Sequence, residues 1–287
     1  PADKAKRGRL PDRGQAEALA ERLRGAPAQV VAADRQRQTV PPPQLYHLTA
    51  LQQAANRRFG LTAQQTLKVA QSLYERHKLL TYPRTDSRHL TRDVAATLPQ
   101  TVAAVAGAGP WAPVAQQVQA QGVPRLGKRF VDDGQVGDHH ALLPTTKAPD
   151  LSQLSADERR IYELVVRRTL AMCLPPAVYA KTRLEAHAAG QRLEARGRVR
   201  LDPGWEVADP PPPPKGKAAQ QAVELPLVEP GDAAQVRDAR ALAKQTRPPP
   251  RYTEATLLGA MERAGRTLDD AALRAARSMA PNKVASV

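Results

Sequence analysis

The sequence is poor in residues that build disulfide frameworks and metal centres. Cys173 is its one cysteine, and no Cys and His residues stand at the spacing of zinc ligands. A disulfide within the chain and a zinc ribbon are therefore excluded, and a reducing compartment is expected. No apolar run approaches the roughly 20 residues that span a bilayer, and no signal peptide heads the chain, so no membrane partner is expected.

Aromatic residues are also scarce at 3%, whereas prolines number 27, so the cores must be aliphatic and the connections stiff. A length of 287 residues with 41% hydrophobic residues is enough for two domains. Acidic residues are outnumbered, because 43 Lys and Arg face 28 Asp and Glu and leave a net charge of +15. This excess favours a polyanionic partner, nucleic acid first. A GC-rich genome also enriches Arg and Ala, but it would not by itself unbalance the two signs.

Hydrophobic periodicity predicts a helical block flanked by strands. Helices are predicted at 12–24, 48–59, 62–80, 91–106, 111–121 and 155–174, with a further helix opening at Arg251. Strands are predicted at 28–40, 181–188, 191–201, 204–208, 223–229 and 234–245. Strands on either side of the helical block have to pair with each other, so the fold class is α+β, with a helical domain inserted in a discontinuous β domain. The predicted division is a helical remnant at 1–25, a β domain at 26–47 and 176–247, a helical domain at 48–175 and the start of another helical domain at 248–287.

The segment LLTYPRTDS at 79–87 places a phenol, a guanidinium and a carboxylate within a few residues at the end of an amphipathic helix. Pro83 keeps the residue before it out of the α region, so Tyr82 is expected in extended backbone with Arg84 on the same side. With an ordinary pKa of about 10, tyrosine is a poor nucleophile at neutral pH. A guanidinium beside it stabilises phenolate and the extra charge on a pentacoordinate phosphorus. The alternative is a tyrosine that anchors the helix end beside a surface pair of Arg84 and Asp86.

A second polar segment, DHHALLPT, carries His139 and His140 in a loop of the same helical block. A histidine can donate a hydrogen bond to a phosphate oxygen, and Asp138 or Asp86 can orient one imidazole. The two segments can converge into one site. For either histidine, a loop side chain satisfied by solvent or a carbonyl is the alternative.

Four segments resemble the signature segments of type IA DNA topoisomerases, and they are most similar to the bacterial topoisomerase III branch. They occur in family order and read LYHLTALQQAANRRFGLTAQQTLKVAQSLYERHKLLTYPRTDS, DHHALLPT, GRVRLDPGWEV and PPPRYTEATLLGAMERAGR. The resemblance implies that the helical domain is the gate that carries the tyrosine, and that the discontinuous β domain is the arch on which it swings. It also implies a DNA-associated protein of the bacterial cytoplasm.

The resemblance implies that Tyr82 attacks a phosphodiester of single-stranded or negatively supercoiled DNA, giving a 5′-phosphotyrosine link and a free 3′-hydroxyl. Arg84 and His139 match the family's catalytic arginine and histidine, and Thr85 and Asp86 lie in the same motif. Because the phosphotyrosine conserves the bond energy, resealing needs no ATP, and a second strand can pass through the open gate.

Two arginines on the helix from Ser155 are further candidates for DNA contact. Arg167 and Arg168 are placed to bind backbone phosphates, with a solvated helix face as the alternative.

Two parts of the family pattern are missing from the sequence. The family's toprim domain carries an acidic DxDxE cluster, whereas no Asp-x-Asp occurs here, so no residue is assigned to a metal. The Gly/Thr-rich segment after the last helix is absent too, and the chain begins at Pro1 rather than Met. We therefore expect a segment of a longer enzyme, inactive alone, which depends on the parent's toprim domain for Mg²⁺.

Three other interpretations remain. A non-catalytic nucleic-acid-binding module would explain the charge but not the ordered motifs. A tyrosine recombinase also uses Tyr, Arg and His, but its tyrosine follows the histidine, whereas Tyr82 precedes His139. A scaffold would need only an exposed proline-rich linker at 210–217 to recruit a partner.

Overall fold

The computed structural model describes residues 10, 12–214, 216–245 and 247–263. The chain divides into two compact units, a β unit within 1–40, 178–202 and 212–249 and a helical unit within 41–177, 203–211 and 250–287. Helices combined with a four-stranded sheet confirm the predicted α+β class. The predicted segments 1–25 and 248–287 lie partly outside the described residues. Among the helices described, none is both long enough and apolar enough to cross a membrane.

The β unit is built on one sheet with the strand order β3-β2-β1-β4. Its strands are β1 (Pro27–Val40), β2 (Ala177–Ala188), β3 (Gln191–Asp202) and β4 (Ala233–Gln235). The β2 and β3 strands form an antiparallel hairpin, whose turn residues Ala189 and Gly190 both have positive φ, as a type I′ turn requires. The strands predicted at 181–188 and 191–201 are therefore confirmed. Two helices also belong to this unit, α1 (Arg13–Leu23) and the single turn α8 (Lys217–Gln220).

Three other strand predictions differ from the structure. Segment 204–208 is a turn of 3-10 helix, because Gly204 adopts a φ of 46° that breaks an extended chain. Segment 223–229 is not a strand, since Pro226 lacks the N–H that a ladder needs. Segment 234–245 contributes only the end of β4, whose residues are all exposed, so no burial favours a longer strand.

The helical unit contains the remaining helices. They are α2 (Leu48–Phe59), α3 (Ala63–Glu75), α4 (Arg92–Ala96), α5 (Leu98–Val105), α6 (Ala112–Gln121), α7 (Ala156–Met172) and α9 (Glu254–Arg263). The α7 helix is at the centre, because most of its apolar side chains are fully buried and α2, α3 and α6 all pack against it. A capping box of Ser155 and Glu158 starts α7, and a matching box of Thr62 and Gln65 starts α3.

Two predicted helices are shorter than their periodicity suggests. The α3 helix ends at Glu75 instead of continuing to 80, because Lys78 adopts a φ of 57° and Leu79 N–H bonds back to Leu73 O at 2.8 Å. The segment 91–106 divides into α4 and α5, since Pro99 in the first turn of α5 has no N–H to continue the ladder. Both interruptions turn the chain so that leucines enter the core.

Gly109 is a position where we expect a single methyl group to destabilise the helical unit. Its φ is 90°, and an added Cβ would lie 2.6 Å from the ring of Trp111. The ring cannot move away freely, because its Nε1–H donates to Val105 O at 2.9 Å. Gly109→Ala should therefore lower the free energy of unfolding by about 2 kcal/mol, measured by urea denaturation. Gly107→Ala is the control, since an added Cβ there meets nothing within 4 Å. Equal stability of the two variants would contradict the prediction.

Candidate active site

The segment after α3 is held beside the segment after the histidine pair. Thr81 N–H donates to Leu143 O at 3.0 Å, and Leu143 N–H donates to Thr81 Oγ1 at 3.0 Å. Thr145 N–H donates to Leu79 O at 3.0 Å, and Leu79 is buried. These reciprocal bonds fix the register of two loops that lie far apart in the sequence.

This pairing brings Tyr82 against His139. Their ring centroids are 4.3 Å apart with a 45° tilt, and Tyr82 is half-buried while His139 is exposed. Tyr74 also contacts Tyr82 edge to face, with centroids 5.5 Å apart at 79°. The Tyr82 ring therefore contacts both an imidazole and a second phenol, and these contacts restrict its rotation.

Thr85 ties the tyrosine turn to the histidine loop. Its buried hydroxyl donates to His139 O at 3.0 Å and accepts from Ser87 N–H at 3.1 Å. Its carbonyl accepts from Leu48 N–H, at the start of α2, at 3.0 Å. Thr85 thus positions the backbone that carries His139.

Arg84 and Asp86 are both exposed, and neither forms a hydrogen bond or ion pair within the described residues. In the part of the chain that the structure describes, the alternative, a surface ion pair between Arg84 and Asp86, is therefore not formed. An unpaired guanidinium keeps all its N–H donors available to an anion such as a phosphate.

The two histidines differ in their contacts. His140 Nδ1 lies 2.7 Å from Ala141 O, so His140 is the loop histidine that a carbonyl satisfies. His139 has no hydrogen bond from its ring to any described residue, and Asp138 and Asp86 do not orient it there. Its ring nitrogens remain available to a ligand.

Arg167 and Arg168 are largely buried rather than placed on a solvated helix face, with side chains 18% and 17% exposed. Arg167 pairs with Glu163 at 2.6 Å and donates to Ala208 O at 2.9 Å. Arg168 pairs with Asp209 at 2.8 Å. These contacts give both arginines a structural part, and their contact with DNA stays a prediction.

Arg168 belongs to a buried network that the sequence does not reveal. Its other nitrogens donate to Gln44 O at 3.0 Å and to Tyr46 Oη at 2.8 Å, and its guanidinium lies 4.0 Å above the Tyr46 ring. Burial raises the pKa of Tyr46 despite the nearby Arg168 charge, so Tyr46 stays a neutral phenol. Asp209, 3% exposed, also accepts from Arg58 at 2.8 Å and so balances two guanidinium groups.

A second buried network fixes the end of α3, from which the tyrosine turn departs. Glu158 accepts from Ser72 Oγ at 2.6 Å and lies 3.1 Å from His77 Nε2. Burial tends to raise the pKa of Glu158, but hydrogen bonds from Ser72 and Ser155 and the neighbouring His77 outweigh it and lower the pKa to about 2. The carboxylate is therefore stabilised in its charged form.

The depressed pKa of Glu158 makes stability depend on pH. Its contribution is fully present above the ordinary carboxyl pKa of 4.5 and is lost as the pH falls towards about 2. At about pH 3.5 we expect a loss on the order of 1 kcal/mol relative to about pH 6. Glu158→Gln should remove this part of the acid dependence in urea denaturation, whereas Asp157→Asn, a change in the same turn at a side chain 42% exposed, should retain it. A Glu158→Gln variant with unchanged acid dependence would refute the assignment.

Glu262, on helix α9, contacts His47 and Arg88. Its carboxylate lies 3.1 Å from His47 Nε2 and 3.4 Å from Arg88 Nη2. Burial is the largest cause that lowers the pKa of His47, and the charge of Arg88 lowers it further. The neutral imidazole is therefore favoured. Thr253 caps α9, because its hydroxyl accepts from Thr256 N–H at 3.3 Å, as its position before Glu254 predicts.

Sequence reasoning missed several of these residues for different reasons. Tyr74 falls in the apolar stripe of α3, and its contact with Tyr82 depends on the reversal at Lys78. The partnership of His77 with Glu158 joins residues far apart in the chain, and no local pattern signals it. The Arg168 pair with Asp209 is likewise set only by folding.

The described residues do not provide a magnesium site. Over the ranges that the structure describes, no three His, Cys, Asp or Glu side chains come together in a way that could hold a metal ion. Asp86 stands alone beside Tyr82, whereas Mg²⁺ is normally bound by carboxylates together with waters and substrate phosphates. These side chains therefore do not fit the ion that the family resemblance implies, and no chemical step is derived through it.

A family model described as DNA topoisomerase matches residues 2–266. The chain belongs to the bacterial type IA DNA topoisomerases. It is 37% identical to DNA topoisomerase 3 of Shouchella clausii over 261 residues, which are 91% of this chain and 35% of that protein. It is 38% identical to DNA topoisomerase 3 of Bacillus licheniformis over 244 residues, covering 85% of this chain and 33% of that protein. The resemblance to topoisomerase III is thereby confirmed, and the chain spans about a third of the length of these relatives.

A solved structure shares the fold. Full-length topoisomerase I from Thermotoga maritima matches with a TM-score of 0.64 over 86% of this chain and 39% of that chain. Sequence identity is 23%, so this likeness is evidence for the topoisomerase fold alone.

Proposed function

We propose that this chain is the tyrosine-bearing part of a topoisomerase III-like enzyme that cleaves and reseals one DNA strand and so changes DNA topology without ATP. The observation that carries the proposal is the packing of Tyr82 against His139, 4.3 Å between centroids, two residues before Arg84, which forms no ion pair with any described residue. The proposal gives Tyr82 the role of nucleophile, Arg84 that of cation and His139 that of hydrogen-bond donor, and the match to the DNA topoisomerase family model supports it.

The covalent step exchanges one phosphoester bond for another. The Tyr82 hydroxyl oxygen bonds to phosphorus and loses its proton, while the bond from phosphorus to the 3′ oxygen breaks and that oxygen takes up a proton. Arg84 neutralises charge on the non-bridging oxygens, and a His139 ring N–H donates to one of them. Attack by the 3′-hydroxyl on the phosphotyrosine reverses the step, which is why no ATP is consumed.

The polarity of this link is the sharpest test of the proposed function. Full-length protein containing this chain is incubated with a single-stranded oligonucleotide labelled at either end. The 3′ label should become covalently attached to protein, and the 5′-labelled fragment should be released with a 3′-hydroxyl that a polymerase can extend. Attachment of the 5′ label would contradict the proposal. DNA binding without any adduct would support the non-catalytic binding module instead.

We further propose that this chain depends on the toprim domain of its parent, which would supply the magnesium ligands. Support comes from the lack of a ligand cluster among the described residues. The 287-residue chain alone should bind single-stranded DNA weakly and leave supercoiled plasmid unrelaxed. Relaxation of plasmid by the purified chain with magnesium would contradict this dependence.

A further inference from the structure

The hairpin of β2 and β3 presents basic side chains on one face of the β unit. Residues paired across an antiparallel ladder share a face, and alternate residues follow on the same side. The register places Lys181 opposite Arg198 and Arg183 opposite Arg196. Like charges directly opposite each other are destabilising, so two such neighbouring pairs need a compensating anion.

Near the turn of the hairpin, carboxylates of the protein supply that compensation. Arg183 pairs with Glu185 and lies 3.5 Å from Glu194. Arg196 pairs with Glu194, and Arg192 lies 3.3 Å from Glu185. Asp34, 3.9 Å from Arg183, is a third carboxylate for these three arginines, so this end of the face is neutralised internally.

Farther from the turn, Lys181 and Arg198 differ from these arginines. Neither Lys181 nor Arg198 forms an ion pair with any residue that the structure describes. The Arg198 guanidinium carbon lies 3.5 Å above the Tyr179 ring, which holds the side chain in place without neutralising it. A stacked arginine keeps its N–H donors free for a phosphate.

An open cavity of about 520 Å³ lies at these residues. Lys181, Arg183, Arg196 and Arg198 line it, and Asp34 is the one carboxylate among the described residues of its lining. Its wall is completed at the edge of β3, where Arg198 N–H donates to Gln221 O at 2.7 Å. The lining thus combines a concave shape with an excess of positive charge.

We propose that Lys181 and Arg198, on the β unit, form a phosphate-binding site for a single DNA strand. It rests on the proposed function in taking DNA as the ligand. Charge complementarity selects this occupant, because the ammonium and guanidinium groups form no ion pair with any described residue and are opposite in charge to backbone phosphates. Such a site holds a strand without reading its sequence.

The test measures binding of a fluorescent single-stranded oligo(dT) to the whole chain by anisotropy over a series of salt concentrations. The double variant Lys181→Ala with Arg198→Ala should bind about 25-fold more weakly at about 0.1 M salt. For this variant, the slope of log K against log salt concentration should be shallower by about 1.4, which is about 0.7 for each lost phosphate contact. The control, Arg22→Ala with Arg237→Ala, removes two exposed charges from the same unit and should leave the slope within about 0.3.

Equal losses in both double variants would overturn the proposal, since net charge alone would then explain the binding. An unchanged slope in the Lys181 and Arg198 variant would overturn it as well. Removing both facing cations relieves a like-charge contact across the ladder, so it is not expected to unfold the sheet. A second double variant with glutamine at both positions should reproduce the loss. The anisotropy assay reports binding without any cleavage, whereas the adduct assay on the full-length protein reports cleavage, so failure of the site and failure of the cleavage chemistry are distinguishable.

Discussion

Tyr82→Phe is expected to abolish the covalent DNA adduct of the full-length enzyme and to lower strand cleavage by about 1,000-fold or more. The change removes only the hydroxyl that attacks phosphorus. A phenylalanine ring retains the packing of Tyr82 against His139 and Tyr74, so the loop should keep its shape. The measurement is the yield of protein attached to 3′-labelled oligonucleotide.

The matched control is Tyr74→Phe. It removes a hydroxyl from the neighbouring ring, 5.5 Å away between centroids, and leaves the proposed nucleophile intact. Its adduct yield should stay within about twofold of the unmodified enzyme, because ring packing contributes more than the lost hydroxyl. Cleavage that survives in Tyr82→Phe, or that is lost equally in Tyr74→Phe, would show that Tyr82 is not the nucleophile.

Asp209→Asn is expected to destabilise the helical unit by about 3 kcal/mol. Asp209 is 3% exposed and pairs with Arg168 and Arg58, each at 2.8 Å. The amide retains the shape of the carboxylate but not its charge, so the buried Arg168 guanidinium loses its counter-ion. Urea denaturation followed by tryptophan fluorescence suits the measurement, since both tryptophans, Trp111 and Trp205, lie in this unit.

Glu17→Gln serves as the comparison for Asp209. It breaks the pair of Glu17 with Arg13 on α1, whose side chains are 54% and 85% exposed. Solvent screens such a pair, so no measurable change in stability is expected by a global unfolding probe such as circular dichroism. If Asp209→Asn changed the free energy of unfolding as little as Glu17→Gln does, the buried network would not stabilise the fold as described.

Local patterns were sufficient where residues near in sequence decide the structure. The α7 helix has a capping box at Ser155 and a stripe of apolar residues, so both its existence and its start were predictable. The β2 and β3 hairpin was predictable from its alternation and from Gly190 in the turn. The motif around Tyr82 and its family resemblance likewise need only the order of residues along the chain.

Distant contacts decided what those patterns could not. The apolar stripe of α3 continues towards 80, but the helix stops at Glu75, where the Lys78 reversal brings Leu79 and Leu80 into the core. Hydrophobic periodicity predicts which residues are buried, but it does not predict the direction in which the chain turns to bury them. The predicted strand at 223–229 differs for a related reason, because it has apolar residues but no ladder partner.

The sequence by itself determined the family, the α+β class and the identity of Tyr82, Arg84 and His139 as candidates, because ordered motifs and periodicity are properties of the chain. Only the tertiary structure decided that Arg168 is buried against Asp209 and that His139 lies against the Tyr82 ring. The physical reason is that hydrogen bonding and ion pairing act over a few ångströms in space, whereas these partners are separated by tens of residues.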